Sequence, residues 1–278
     1  MIFASDLDQT LIYSPKSFRI PPGDMMPPVT SVEVYEGREI SFMADNVIEK
    51  LKKIASQSIF VPVTTRTIEQ YRRISLFYEQ ITPAYGVVSN GGNIIVHGIV
   101  DSHWQQQVIT GMKHNCLPAE ELLASFKEVC AESWAGMIRR ADDLFYYCVV
   151  ERDKVPQNSI ESFAMWAQGQ GWNVSLQGRK LYVVPRVVNK WAAVAYLRDL
   201  LQEKNVVTAG DSLLDLCMLE QADYGIVPSH GELWELYSRG QLPLASMKFT
   251  KNKGILAAND ILDDVASYQQ IEDSPMRA

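Results

Sequence analysis

Asp6 and Asp8 come directly after the first apolar run of the chain, residues 1–5. A short apolar run of this kind predicts a buried strand, and two carboxylates spaced two residues apart at its end project to the same side. Like charges this close repel each other unless a cation or a raised pKa relieves the repulsion. The pair therefore predicts a divalent-cation site with acid–base chemistry. The alternative is two solvated aspartates at a strand end.

Thr64 and Lys190 could complete a site for an anionic group. Thr64 follows a second apolar run, residues 59–63, and the carboxyl ends of parallel strands meet at one edge of an open sheet. Its hydroxyl and the neighbouring amides could hold a phosphoryl oxygen, although a helix cap is the commoner role of such a threonine. Lys190 opens a predicted helix and could neutralise both a phosphoryl group and a carboxylate. Taken alone, a lysine is more often a solvated charge.

Asp211 and Asp215 follow a third apolar run, residues 206–209. Asp211 would add another carboxylate at the same sheet edge, where it would suit a hard cation; a helix cap is an equally good interpretation. Asp215, four residues later, would orient this cluster or Lys190.

The elements that must position these residues alternate between short apolar strands and helices. This pattern predicts an α/β fold, with a Rossmann-like parallel sheet that carries helices on both faces and is built from residues 1–106 and 185–278. Residues 107–184 instead show an α+β pattern with antiparallel strands, which predicts an inserted cap domain. A Pro-rich segment, residues 15–28, precedes a predicted β-hairpin over residues 31–42.

Composition excludes several classes of function. The formal net charge of -7 and the pI of about 5.2 give no basic surface for nucleic acid, and no apolar stretch is long enough to span a membrane. The four cysteines have no metal-ligand spacing and no C-x-x-C, so we expect reduced thiols in a cytoplasmic protein. A monomer and a homodimer are both compatible with the sequence.

The order of these motifs resembles a known family. A strand-end D-x-D-x-T at residues 6–10, Thr64, Lys190 and G-D-x-x-x-D at residues 210–215 resemble the four motifs of the haloacid dehalogenase (HAD) superfamily. Residues 88–92 are similar to the S-N-G-A segment of its Cof-type branch. Residues 249–255 look like that branch's late T-x-x-N-x-x-G-V segment. The place of the insert matches a type IIB-like cap.

The resemblance implies a role for each matched residue. Asp6 would be the nucleophile that forms an aspartyl-phosphate, and Asp8 would protonate the leaving alkoxide and then activate water. Mg2+ would be bound by the carboxylates of Asp6 and Asp211 and by the backbone carbonyl of Asp8. The remaining roles are phosphoryl binding by Thr64 and Lys190, support by Asp215, and substrate binding by Thr65, Arg66, Asn90 and Gly91.

Three residues depart from the family's usual pattern. Gln9 replaces the glycine of D-x-D-G-T, Thr65 replaces the glycine of T-G-R, and Leu214 replaces the asparagine of G-D-x-x-N-D. Since that asparagine often helps to position the surroundings of the metal, Leu214 bears on metal affinity. The Pro-rich segment and the hairpin are longer than usual and could form an enlarged flap over the site.

The function implied by the resemblance is Mg2+-dependent hydrolysis of a small phosphorylated metabolite, with a phosphosugar preferred. Phosphatases of sucrose phosphate and mannosyl-phosphoglycerate share this layout. Asp8 favours ester hydrolysis because dehalogenases lack an aspartate there and ion-pumping ATPases carry threonine. One alternative is a phosphomutase similar to phosphomannomutases, which would need clustered cap arginines facing the site. Another is a non-catalytic binding or regulatory protein, which only Leu214 favours.

The insert is expected to close over the site and to select the leaving group. The core motifs hold only the phosphoryl group and its metal, so discrimination between esters must come from other contacts. The alternative is a rigid insert that serves dimerisation.

Overall fold

The computed structural model describes residues 1–130, 133–244 and 246–272. Its strands are β1 (Ile2–Ser5), β2 (Val29–Tyr35), β3 (Arg38–Ala44), β4 (Ile59–Pro62), β5 (Tyr85–Val88), β6 (Asn93–Val96), β7 (Ile99–Val100), β8 (Arg139–Ala141), β9 (Phe145–Val149), β10 (Trp172–Gln177), β11 (Lys180–Pro185), β12 (Val206–Ala209), β13 (Tyr224–Val227) and β14 (Lys248–Phe249). Its α-helices are α1 (Asp45–Gln57), α2 (Ile68–Tyr71), α3 (Leu76–Glu79), α4 (Ser102–Asn115), α5 (Ala119–Val129), α6 (Gln157–Gly169), α7 (Lys190–Leu201), α8 (Leu216–Leu219), α9 (Gly231–Ser238) and α10 (Ala257–Glu272).

A parallel sheet in the order β14-β13-β12-β1-β4 forms the centre of the core. The central strands β1 and β12 are fully buried and mostly apolar because helices cover both faces of the sheet. Phe3 packs on one face with residues of α1 and α10, whereas Ile2 and Ala4 pack on the other with residues of α7. The predicted α/β class, with a parallel sheet flanked by helices, is confirmed.

An antiparallel sheet in the order β10-β11-β9-β8 lies between α4 and α7 in sequence. One face of this sheet packs on α5 and α6 through buried residues such as Phe126, Phe163 and Trp172. Phe145 and Tyr182 instead join the cluster that includes residues of the parallel sheet. The predicted boundary between residues 106 and 107 falls inside α4, and the division of the chain into domains stays a prediction.

The apolar pattern of the sequence also predicts a strand over residues 84–89 and helices over residues 118–132 and 213–220, and the structure differs from each of these. The strand predicted over residues 84–89 is β5, which pairs with β6 in a separate antiparallel sheet because the chain reverses at the Ser89–Gly91 turn. It meets the parallel sheet at the isolated bridge Val63–Val87. The helix predicted over residues 213–220 is only the short α8. The helix predicted over residues 118–132 is α5, and Glu132 lies outside the described residues.

The predicted hairpin is confirmed as β2 and β3, joined by Glu36 and Gly37 at φ of 50° and 73°. It lies against the core through the buried side chains of Val32 and Met43. Within the described parts of the chain, no helix combines the length and the apolarity needed to cross a bilayer. The cytoplasmic location and the oligomeric state stay predictions.

Candidate active site

Lys190 joins two carboxylates at the carboxyl edge of the parallel sheet. Its Nζ donates to Asp6 Oδ1 at 2.7 Å and to Asp215 Oδ1 at 2.5 Å. Only 1% of the Lys190 side chain and none of the Asp215 side chain is exposed. Lys190 is the first residue of α7, whose N-terminus Asn189 caps by accepting from Ala192 N at 2.9 Å. A capped helix start therefore fixes the ammonium group beside the end of β1.

The electrostatics of this cluster are dominated by burial. Burial and the charge of Asp215 raise the pKa of Asp6 to about 7, although Lys190 opposes the shift. Burial followed by the charges of Asp6 and Asp215 raises the pKa of Asp211 well above its usual value. For Lys190, burial alone would lower the pKa, but Asp215 and Asp6 raise it overall. One ammonium group thus faces three carboxyl groups, and the excess negative charge favours a cation.

The donor set fits a hard divalent cation. One ligand atom from each of Asp6, Asp211 and Asp215 lies within 4.8 Å of the others. Asp215 is already engaged, because its Oδ2 accepts from the amide and the hydroxyl of Ser212 at 3.0 Å and 2.7 Å. In the described parts of the chain, the Asp211 carboxylate receives no side-chain or backbone hydrogen bond. Asp6 is hydrogen-bonded as well, by Lys190 at Oδ1 and by Thr10 Oγ1 at Oδ2 at 3.2 Å. Metal binding by Asp6 and Asp211 stays a prediction, and carboxylate oxygens of this kind suit Mg2+.

Leu214 lies in the turn between Asp211 and α8. Its partly buried side chain packs against the apolar cluster that includes Met218 and Ala193. Its side chain adds neither a hydrogen-bond donor nor a metal ligand to the carboxylates.

Asp8 is held by Arg66 in a bidentate pair. Arg66 Nε and Nη2 donate to the two carboxylate oxygens at 2.8 Å and 2.9 Å. Desolvation would raise the pKa of Asp8, but the charge and hydrogen bonds of Arg66 outweigh it and the pKa is lowered. Proton donation by Asp8 at neutral pH would require surroundings that raise its pKa, whereas in this conformation the guanidinium stabilises the charged form.

Glu33 of β2 holds Arg66 from the opposite side. Its carboxylate accepts from Arg66 Nη1 at 2.7 Å, from Arg73 Nε at 3.1 Å and from Ser41 Oγ at 2.8 Å, with only 1% of the side chain exposed. Sequence reasoning missed Glu33. A glutamate between Val32 and Val34 in an alternating strand was the available signal, but nothing in the sequence tells which face meets Arg66.

Thr64 and Thr65 follow β4. Thr64 is fully buried, and its Oγ1 accepts from Arg66 N at 3.1 Å. The helix cap considered for Thr64 belongs to Thr67, whose side chain accepts from Gln70 N in a capping box at the start of α2. Thr65 lines the cavity described below. Phosphoryl binding by Thr64 stays a prediction.

Asn90 and Gly91 are buried behind the site. Asn90 Nδ2 donates to Val188 O at 3.4 Å, and the Gly91 carbonyl accepts from Trp104 Nε1 at 2.9 Å. Neither residue is among those that line the cavity, and substrate binding by them stays a prediction. Their turn instead packs against residues 188–190, immediately before and at the start of α7.

Gly91→Ala is expected to lower both stability and turnover. Gly91 has a φ of +92°, and an added Cβ would lie 2.2 Å from the carbonyl oxygen of Asn189. Backbone on both sides leaves no flexible group to yield, so the start of α7 must shift and carry Lys190 away from Asp6. We expect a loss of about 2 kcal/mol or more in the free energy of unfolding, measured by urea titration.

Gly98→Ala is the matched control, because Gly98 also has a positive φ, of +81°, but has nothing within 4 Å of its Cβ position. Equal losses in both variants would contradict a contact specific to Gly91.

A cavity of about 420 Å³ opens above the carboxylates. Its floor includes Asp6, Asp211 and Lys190, and the antiparallel sheet region contributes Arg152, Lys180 and Tyr182 to its wall. A smaller cavity of about 210 Å³ adjoins it between Glu33, Arg66 and Tyr147. The floor of the larger cavity is acidic and would take a phosphoryl group only together with a cation, whereas Arg152 and Lys180 make its walls polar and suited to a polar leaving group.

Comparisons with known proteins agree with this geometry. The sequence model of the sucrose-6F-phosphate phosphohydrolases matches residues 1–261. A comparison with curated protein sequences found no match. Among solved structures, the sucrose-phosphatase of Synechocystis sp. PCC6803, determined with sucrose and phosphate, superposes with a TM-score of 0.71 at 16% identity, over 96% of this chain and 97% of that chain.

Two further solved structures share the fold at low identity. A HAD subclass IIB sugar phosphatase has a TM-score of 0.58 at 13% identity, over 96% of this chain and 98% of its own. A trehalose-6-phosphate phosphatase related protein has a TM-score of 0.55 at 15% identity, over 98% and 100%.

Proposed function

Because the chain belongs to the sucrose-6F-phosphate phosphohydrolase family of HAD phosphatases, we propose that this phosphoric monoester hydrolase acts on phosphosugars, with Asp6 as its nucleophile. The observation that carries the proposal is the buried Lys190–Asp6 pair at 2.7 Å. Beside it lies the Asp211 carboxylate, which receives no hydrogen bond in the described parts of the chain. A carboxylate that attacks a phosphate dianion needs this neutralisation of charge.

The first step joins an oxygen of the Asp6 carboxylate to phosphorus and breaks the bond between phosphorus and the sugar oxygen. Asp8 supplies the proton that the departing alkoxide takes up. In the second step Asp8 accepts a proton from water, which attacks phosphorus and releases inorganic phosphate and the Asp6 carboxylate. The Arg66 pair keeps Asp8 deprotonated, as the second step requires. Before the first step, the guanidinium of Arg66 must leave Asp8 and pair with another anion, such as the phosphoryl group of the substrate. Asp8 can then keep the proton that it took from water in the second step of the preceding turnover and give it to the alkoxide.

The residues that would hold Mg2+ are Asp6 and Asp211, with the Asp8 backbone carbonyl as the family resemblance implies. When bound, the ion supplies positive charge that offsets the phosphate dianion and the carboxylates. Lys190 supplies the second positive charge, and Asp215 orients it.

Activity is expected to require Mg2+. Excess EDTA should abolish phosphate release, added Mg2+ should restore it, and Ca2+ should inhibit because it prefers a larger and looser ligand shell. Asp211→Asn should raise the Mg2+ concentration needed for half-maximal rate by at least about tenfold, since it removes one anionic ligand. Full activity in excess EDTA would contradict this assignment.

Residues 107–184 form the proposed cap. The cap contributes Arg152, Lys180 and Tyr182 to the cavity wall, and its Asp142 accepts from Ile68 N at 2.9 Å beside the motif around Arg66. These contacts support selection of the leaving group by the cap. Exchange of the cap for that of another family member should change substrate preference and leave the Mg2+ requirement alone. An unchanged preference would favour a rigid insert that serves dimerisation.

A phosphomutase is the second candidate, and the placement of the cap arginines counts against it. Four arginines were possible contacts for a rebound intermediate: Arg139, Arg140, Arg152 and Arg179. Among these, Arg152 lines the cavity and the other three do not. Conversion of hexose 1-phosphate to hexose 6-phosphate, with and without a bisphosphate activator, separates the two activities.

Phosphate release from a panel of metabolites tests the proposed function. The panel contains phosphosugars with one or two rings, nucleotides and phosphoamino acids, each assayed with Mg2+. We expect the highest kcat/KM among the phosphosugars. A purified, folded protein that releases no phosphate from any ester would support the non-catalytic alternative, and a preference for nucleotides would contradict the substrate class.

A further inference from the structure

Gln9 occupies a backbone conformation that usually belongs to glycine. Its φ is 64°, and such left-handed conformations are unfavourable for residues with a side chain. Glycine is also the usual residue here in the family that the motif resembles. The chain therefore retains a side chain, at some cost in strain, beside the nucleophile Asp6 and Asp8.

The Gln9 side chain has a defined partner in the Pro-rich segment. Arg19 Nη2 donates to Gln9 Oε1 at 2.9 Å, and both residues line the cavity of about 420 Å³ that also contains Asp6. Arg19 carries four further N–H donors, and none of them has a hydrogen-bond partner among the residues that the structure describes.

Buried contacts fix the backbone at Arg19. Ile255 N donates to the carbonyl of Phe18 at 3.0 Å. Gly254, at a φ of +58°, approaches the same carbonyl so closely that an added Cβ would lie 1.8 Å from its oxygen. The Phe18 ring packs edge-on against Phe42 at 5.8 Å. The exposed guanidinium of Arg19 thus extends from an anchored backbone.

His230 connects the loop that carries Gln9 to the turn at Gly254. Its buried ring lies 2.8 Å from Gln9 O through Nε2 and accepts from Gly254 N through Nδ1 at 3.0 Å. Since Nδ1 accepts, Nε2 carries the proton and donates to the Gln9 carbonyl. One continuous set of contacts therefore runs from the loop after β1, which carries Gln9, through His230 to the turn at Gly254. From there it continues to the Phe18–Arg19 peptide.

From these contacts we propose that Gln9 and Arg19 form a specificity-determining pair. Gln9 positions Arg19 at the mouth of the cavity, and Arg19 donates hydrogen bonds to oxygen atoms of the sugar leaving group. The inference rests on the proposed phosphosugar phosphatase function. The floor of the cavity holds the phosphoryl group, so a guanidinium on the wall meets what is attached to it. The four remaining N–H groups of Arg19 lie in one plane, and the hydroxyl oxygens of a sugar can accept hydrogen bonds from them.

Two single variants distinguish a role of the Gln9–Arg19 pair in binding the leaving group from a role in hydrolysis of the phosphate ester. Arg19→Ala and Gln9→Gly should each raise KM for the best phosphosugar by about tenfold, the loss expected for one charge-assisted hydrogen bond, with kcat within about twofold. Neither should change kcat/KM for phenyl phosphate, whose leaving group offers no hydroxyl groups. Gln9→Gly suits the local backbone, so its effect reports the lost side chain and not a distorted loop.

The double variant and a conservative variant complete the test. Arg19→Ala/Gln9→Gly should lose no more than either single variant, because both remove one contact. Gln9→Glu should retain the parent ratio of kcat/KM for the phosphosugar to kcat/KM for phenyl phosphate, since a carboxylate also accepts from Arg19 and its added charge acts on both esters. An unchanged KM in Gln9→Gly, or an equal loss of kcat/KM with phenyl phosphate, would contradict the proposed role of the Gln9–Arg19 pair in selecting the leaving group. Neither result would affect the proposed phosphatase function. A parent enzyme that hydrolyses no phosphosugar would overturn both.

Discussion

Asp6→Asn is expected to reduce phosphate release by at least about a thousandfold, the usual range for removal of a nucleophile. The amide keeps the shape of the carboxylate but cannot form the acyl phosphate. Lys190 keeps Asp215 as its partner at 2.5 Å, so the buried ammonium group remains paired. Steady-state phosphate release at saturating Mg2+ measures the loss.

The same substitution should leave the fold intact. Burial and Asp215 disfavour the charged form of Asp6 and raise its pKa to about 7, so removing that charge relieves a cost. The thermal midpoint of Asp6→Asn should therefore equal or exceed that of the parent. Asp24→Asn, at an exposed position in the Pro-rich segment, is the matched control and should retain full activity. Activity of Asp6→Asn within tenfold of the parent would contradict the assignment of the nucleophile.

Lys190→Met is expected to be the most destabilising substitution in the site, by about 3–5 kcal/mol in the free energy of unfolding. Its side chain is 1% exposed and pairs with both Asp6 and Asp215. Methionine fills the volume but leaves two buried carboxylates without their ammonium partner. Urea denaturation without Mg2+ measures the loss, and turnover should fall to background.

A second substitution and a surface control sharpen this prediction. Lys190→Met/Asp215→Asn should recover part of the lost stability, because it removes one of the uncompensated charges. Lys50→Met breaks a lysine–aspartate pair with Asp263 at the surface and should cost less than about 1 kcal/mol. A similar small loss in Lys190→Met would mean that the buried charges are compensated in another way.

The central cluster could be predicted because its members follow short apolar strands. Asp6 follows β1, Asp211 follows β12, and parallel pairing of these strands places their ends side by side. Lys190 was predicted to open a helix, and the Asn189 cap makes it the first residue of α7. The end of a strand and the start of a helix depend mainly on residues that are neighbours along the chain, so both can be predicted from the sequence.

The surroundings of Asp8 could not be predicted in the same way. The Arg66–Glu33 contact joins residues 33 positions apart in the chain, and it depends on how the β2–β3 hairpin docks against the loop after β4. Alternation shows that a hairpin forms but not which face meets the core. The lowered pKa of Asp8 follows from this docking and therefore could not be predicted from the sequence.

The positions of Asn90 and Gly91 show a related limit. Their motif was recognised, but β5 turns back into a separate antiparallel sheet, and the turn packs behind Lys190 without lining the cavity. The Gln9–Arg19 contact likewise depends on a Pro-rich segment whose path is set by Gly254 and His230 from the far end of the chain.

Intact-mass spectrometry of an acid-quenched reaction tests the central claim most directly. Asp8→Asn should accumulate phosphoenzyme, since it impairs the activation of water, when mixed with Mg2+ and a phosphosugar that the parent hydrolyses. We expect a mass increase of about 80 Da, for one phosphoryl group in place of a proton. Fragmentation should locate it on Asp6, and Asp6→Asn/Asp8→Asn should lack it. A phosphoryl group on another residue, or hydrolysis by the parent with no adduct in Asp8→Asn at any quench time, would contradict nucleophilic attack by Asp6.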